Sequence, residues 1–214
     1  MARQFIFIVA VFWIHLAFGQ GNNSEEKTTR PATEKESKIQ KRNQNCIKQT
    51  NKSFTIRLRN YPFNLSTQIQ LVSFRGIDTS KDQDMIDVDS LPRQNDTVCY
   101  SKLKEVKNLT FKDVDKLTDI LYNFGYQGQT WTPGVTYIGT MTQCYNPRNA
   151  ILFLDKNGKA FEFIEICFEC RKTRESSQKI FLGQMCEQKL DMFKDFFKTV
   201  GIEYGIKKDV VTDN

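Results

Sequence analysis

Six cysteines carry most of the chemistry open to this chain: Cys46, Cys99, Cys144, Cys167, Cys170 and Cys186. Cys167-Phe-Glu-Cys170 is a C-x-x-C pair, with Cys144 upstream and Cys186 downstream. Three chemistries suit such a set. An even number of cysteines in a chain that leaves the cytosol points first to disulfides, with Cys46 and Cys99 as one separate bond and two more among the other four. Four thiolates can instead hold zinc tetrahedrally, with the C-x-x-C as one knuckle, although thiols outside the cytosol tend to oxidise. The third chemistry is thiol–disulfide exchange at Cys167 and Cys170. A thioredoxin-like pair sits at a helix N-terminus, which lowers the thiol pKa, whereas this pair ends a strand and enters the polar stretch Arg171–Gln178. Histidine adds nothing. The only one, His15, lies in an apolar N-terminal run. The chain beyond it therefore has no imidazole for general acid–base catalysis, for a Cys–His zinc site or for a Ser-His-Asp or Cys-His nucleophile.

Carboxylates are the other candidates. Glycoside hydrolysis needs only two of them, so a chain without histidine can still be an enzyme. Glu162, Glu165 and Glu169 lie beside the C-x-x-C, but strand alternation puts Glu165 and Glu169 with Phe161 and Phe163, and Glu162 with Ile164 and Ile166 on the opposite face. No positioned pair results, and no catalytic residue is assigned. Arg148 is within diagonal reach of Glu165 as an ion-pair partner. Asp82, Asp84, Asp87 and Asp89 raise calcium, yet the segment lacks the ligand spacing, turn glycine and distal Glu of an EF-hand. A solvated acidic loop is the expectation there.

The compartment follows from the first residues. Arg3, the apolar run Phe5–Phe18 and small residues at Ala17 and Gly19 fit a cleavable signal peptide over 1–19. The run is too short for the ~20 apolar residues of a membrane anchor, and no later segment can span a bilayer. Residues 20–44 hold almost nothing apolar and are expected to be a disordered linker. One domain over 45–206 and a tail over 207–214 complete the chain. The net charge of +6 is dispersed, without the basic stripe of a nucleic-acid binder.

What must position the cysteines is an α+β domain, an antiparallel sheet with about two helices packed on one face. Alternation predicts strands over Ser53–Arg59, with Phe54, Ile56 and Leu58 on one face, and over Gln68–Phe74, with Ile69, Leu71 and, after a break, Phe74. Pro62 marks the loop between them, and 75–97 reads as a long polar connection. Thr110-Phe-Lys-Asp113 resembles a capping box ahead of Val114, Leu117, Ile120, Leu121 and Phe124, with Gly125 as the stop. Leu190, Phe193, Phe197 and Val200 make a second helix, ended by Gly201 in a Schellman turn that folds Ile202 onto Phe197. Between the helices, Asp155-Lys-Asn-Gly158 fits a type I turn with a glycine bulge. Asp155 then faces Lys159, and counting outward sets Cys144 opposite Cys170. Three cysteines thus meet at one hairpin end, with Cys186 joining them if the last helix crosses the sheet.

Cys144-Tyr-Asn-Pro-Arg-Asn-Ala-Ile, Ile166-Cys-Phe-Glu-Cys170, and Cys186 with Lys189, Phe196-Phe197 and Tyr204-Gly205 resemble an uncharacterised family of exported proteins from Bacteroidetes-type bacteria. The resemblance covers about residues 140–205 and implies a Gram-negative envelope, periplasmic or secreted, without an activity. Asn51, Asn64, Asn95 and Asn108 head N-glycosylation motifs for a eukaryotic source. Asp89-Ser-Leu and Asp96-Thr-Val instead match the O-glycosylation pattern of the resembled group. Together these observations predict a non-enzymatic structural or binding domain with no cofactor, stapled by its cysteines. A C-x-x-C redox protein and a zinc-stabilised binding module are the alternatives.

Overall fold

A computed structural model describes residues 29–76, 91–137 and 144–206. The segment read as a signal peptide (1–19), the acidic residues Asp82–Asp89 and residues 207–214 lie outside them. Five antiparallel strands form the central sheet: β1 (Gln68–Phe74), β2 (Leu103–Asn108), β3 (Asn149–Leu154), β4 (Ala160–Cys167) and β5 (Lys172–Glu175), in the order β5-β4-β3-β1-β2. Among the described residues four α-helices accompany it, where the sequence suggests about two. They are α1 (Glu34–Asn43), α2 (Phe54–Arg57), α3 (Phe111–Asn123) and α4 (Lys189–Val200). None of them is long and apolar enough to cross a membrane.

The sheet is buried on both faces. On one, Leu117, Ile120 and Leu121 of α3 and Phe193, Phe196 and Phe197 of α4 pack over Ile69, Leu71, Ile151, Phe153, Ile164 and Ile166. Val72, Phe74, Leu152 and Phe163 point the other way, under Leu91 and Val98. Phe74 therefore lies opposite Ile69 and Leu71, not beside them. That second cover includes a hairpin, Arg93–Gln94 against Thr97–Val98, inside the stretch read as polar loop. Asn95 and Asp96 both have positive φ, 48° and 56°, the pattern of a two-residue type I′ turn.

The start of α3 and the end of α4 form as their residues dictate. Thr110 and Asp113 cap α3 reciprocally, leaving fewer orphan backbone donors. Gly201, at φ 91°, closes α4 with the Ile202 N–H on the Phe197 carbonyl at 3.0 Å. Gly125 is not a helix stop, however. Phe124–Tyr126 leaves α3 extended and pairs with Cys46–Lys48.

Two local readings change. Phe54–Arg57 is one helical turn, not a strand, because Arg57 tucks underneath to donate to Thr118 Oγ1 at 3.1 Å and to pair with Asp115. Phe54 and Leu58 satisfy a four-residue spacing as well as alternation, and Ile56 stays exposed. The linker expected over 20–44 carries α1, whose Thr33–Glu36 capping box, Arg30–Glu36 contact at 2.8 Å and Glu34–Lys38 pair at 2.6 Å hold it. No α1 residue is buried. Local hydrogen bonds and charges make this helix, without a core face.

Candidate functional site

The hairpin turn between β3 and β4 forms as its residues require. The Asp155 N–H donates to the Lys159 carbonyl at 2.9 Å, and Gly158 takes φ 74°. A bulge between Ala160 and Glu162 then shifts the register by one, so Phe153 faces Glu162 and Asn149 faces Ile166. The same bulge turns Phe161 to the helix side with Ile164 and Ile166, away from Phe163. β3 begins only at Asn149, beyond Pro147, so no ladder pairs Cys144 with Cys170. They are nonetheless bonded as a disulfide, with Cα atoms 5.7 Å apart.

Cys167 ends β4 as a free, buried thiol. Phe168–Arg171 then turns the chain back into β5. The Cys170 N–H donates to Cys167 Sγ at 3.3 Å. This turn is anchored on α4 by Phe168, edge-on to Phe197 at 5.5 Å, and by Arg171, which reaches Asp191 at 3.1 Å. Cys186 leaves the set. It bonds Cys46 instead, Cα atoms 5.0 Å apart, so Cys46 is not joined to Cys99, a free and partly buried thiol. With these sulfurs in disulfides, no group of three or more His, Cys, Asp or Glu among the described residues is arranged to hold a metal ion.

The carboxylates near the turn are ligated by protein. Glu165, fully buried, accepts from Arg174 at 2.8 and 3.0 Å, from the Tyr145 hydroxyl at 2.9 Å and from the Leu91 N–H at 2.9 Å. Burial, then the Glu165 charge, raises the Tyr145 hydroxyl well above its usual range. Arg148 reaches Glu169 at 3.7 Å. Glu162 faces the other side, where Tyr61 and Ser176 donate to it. Burial works to raise its carboxyl, but the hydrogen bonds from Ser176 and Tyr61 outweigh that and hold it below its usual value. Burial first, and then Glu162, push Tyr61 up to about 12. Glu162 and Glu165 thus lie on opposite faces of one strand and form no catalytic pair.

Residues without any sequence signal hold the N-terminal arm against the start of α4. The Cys46 N–H donates to Gln188 Oε1 at 2.7 Å, the Glu187 N–H to the Gln44 carbonyl at 2.8 Å, and the Tyr126 N–H to Gln184 Oε1 at 2.8 Å. Beside them Lys189 is fully buried, its Nζ donating to the carbonyls of Leu121 and Phe124 at 2.9 Å and of Leu182 at 3.5 Å. It thereby satisfies carbonyls left open at the end of α3. Burial lowers the Lys189 pKa from 10.5 to about 8. Below pH 8 both folded and unfolded chains hold this proton. From pH 8 toward 10 the folded chain releases it first, so stability rises with pH. Denaturant midpoints should therefore climb from pH 8 to pH 10 in the wild type and stay flatter in Lys189→Met. Equal slopes in the two proteins would contradict the assignment.

A groove of about 690 Å³ opens at the far end of the sheet. Phe54, Leu58, Phe63, Ile69, Leu109 and Val114 line it together with the polar Thr67, Gln68, Asp155 and Lys156. Phe111, the first residue of α3, also lines it and is 85% exposed. Compared with models of protein families, with curated proteins and with solved structures, the chain matches none.

Proposed function

We propose that this chain is an exported, non-catalytic binding domain of the cell envelope that takes a small amphipathic molecule in the groove beside Phe111. The carrying observation is the groove itself. Its volume of about 690 Å³ falls within the ~300–1,000 Å³ of small-molecule sites, and its mixed apolar and polar lining suits an amphipathic molecule. An almost fully exposed phenylalanine at its edge is apolar surface that no described element covers. Two disulfides support the exported setting, since such bonds persist in oxidising compartments. The apolar run at Phe5–Phe18 supports it as well.

Titration with 8-anilinonaphthalene-1-sulfonate tests this. We expect saturable binding of one probe per chain to the folded protein, weakened at least tenfold in Phe111→Ser. Phe111 is so exposed that its loss should change stability by only about 0.5 kcal/mol or less. Probe binding that does not saturate, or that Phe111→Ser leaves intact, would count against the groove.

A further inference from the structure

We propose that Cys144, Cys167 and Cys170 form a three-sulfur exchange site, in which Cys167 displaces Cys144 from Cys170 and so presents Cys144 at the surface to a disulfide of another molecule. Cys167 is a reduced thiol three residues from a sulfur already in a disulfide. The Cys170 N–H donates to Cys167 Sγ at 3.3 Å, which holds that sulfur against the residue it would attack. Only Phe168 and Glu169 separate Cys167 from Cys170, and the 3.3 Å contact sets the two residues side by side. Phe168 and Arg171 fix that turn on α4, so Cys167 and Cys170 stay in place while their partner changes. Cys144, by contrast, is exposed and lies outside any strand.

The exchange balances with the external disulfide as its oxidant. Cys167 Sγ, having given its proton to solvent, bonds Cys170 Sγ. The Cys144–Cys170 bond breaks, and its electron pair leaves on Cys144 Sγ. That thiolate then attacks an external disulfide R–S–S–R, giving Cys144–S–S–R and releasing R–S⁻. The fit is to small or peptide disulfides, because only Cys144 of the three is exposed. A buried thiol in purely apolar surroundings is inert. Cys167 differs in having a backbone donor and a neighbouring disulfide.

The test uses a Cys99→Ser background, so that the second free thiol does not react, with oxidised glutathione as the probe at pH 8. Peptide mapping of the non-reduced protein should find glutathione on Cys144 and a Cys167–Cys170 bridge in the same molecules. Adding Cys167→Ala should lower Cys144 glutathionylation at least tenfold, because Cys144 then stays bonded to Cys170. Glutathione on Cys167, or undiminished modification of Cys144 in Cys167→Ala, would overturn the proposal. Should that variant fail to fold, the mapping of the Cys99→Ser protein still decides, and absence of a Cys167–Cys170 bridge refutes the exchange.

Discussion

Cys46→Ser should lower the unfolding free energy by about 5 kcal/mol, and Cys144→Ser by about 3.5 kcal/mol. The difference comes from the loops the two bonds close, 140 residues for Cys46–Cys186 and 26 for Cys144–Cys170, through the entropy that each cross-link removes from the unfolded chain. Urea unfolding without reductant measures both. Cys186→Ser should match Cys46→Ser, and the double variant should lose no more than either single one. A larger loss from Cys144→Ser than from Cys46→Ser would show that loop length is not what these bonds contribute.

Arg174→Met should cost about 3 kcal/mol, because it strips the cation from a carboxylate with no solvent exposure. Glu165→Gln should cost less. The Arg174 side chain is 38% exposed, so it can turn to water once the charge is gone, whereas Glu165 cannot. The asymmetry separates a buried ion pair from a surface one, where both changes would lie near zero. Chemical denaturation of the two variants at neutral pH reads it directly.

How much of this was legible in the sequence depends on where each element draws its order. α3 and α4 were readable because their caps and apolar spacing are local, and both helices face one core. The Asp155–Gly158 turn was readable for the same reason, and it brought Cys144 toward the C-x-x-C. The bulge after Ala160 was not, since nothing in Ala160-Phe-Glu-Phe marks where two residues oppose one. β2 went unseen because Lys104, Glu105, Lys107 and Asn108 leave an edge strand with little apolar pattern. Alternation over Phe54–Leu58 was ambiguous between strand and helix, and buried Arg57 decided it through partners on α3. α1 had a readable signal, Thr33 followed by Glu36, that its polar composition masked.

The candidate site divides the same way. The Cys144–Cys170 neighbourhood came from one hairpin, whose ends are set by its turn. The Cys46–Cys186 bond came from an arm docked by the Gln188 side chain and the Gln44 carbonyl, contacts that follow no periodicity. Lys189 was invisible as a buried donor, since its partners belong to α3 and to the segment before α4. The groove is also a product of assembly, built by α2, the start of α3 and the β3–β4 turn.

The strand order has a consequence for how the chain assembles. β3, β4 and β5 form a meander within 149–175, and β1 with β2 a second unit within 68–108. Only the β1–β3 pairing joins them, matching Leu71 with Ile151 across 80 residues of chain. Such a non-local seam is slow to form, because its loop entropy is lost before its contacts are gained. Cys46 belongs to the chain before β1 and Cys186 to the chain after β5. Their bond therefore spans both units, while Cys144–Cys170 bridges the segments that flank the β3–β4 hairpin.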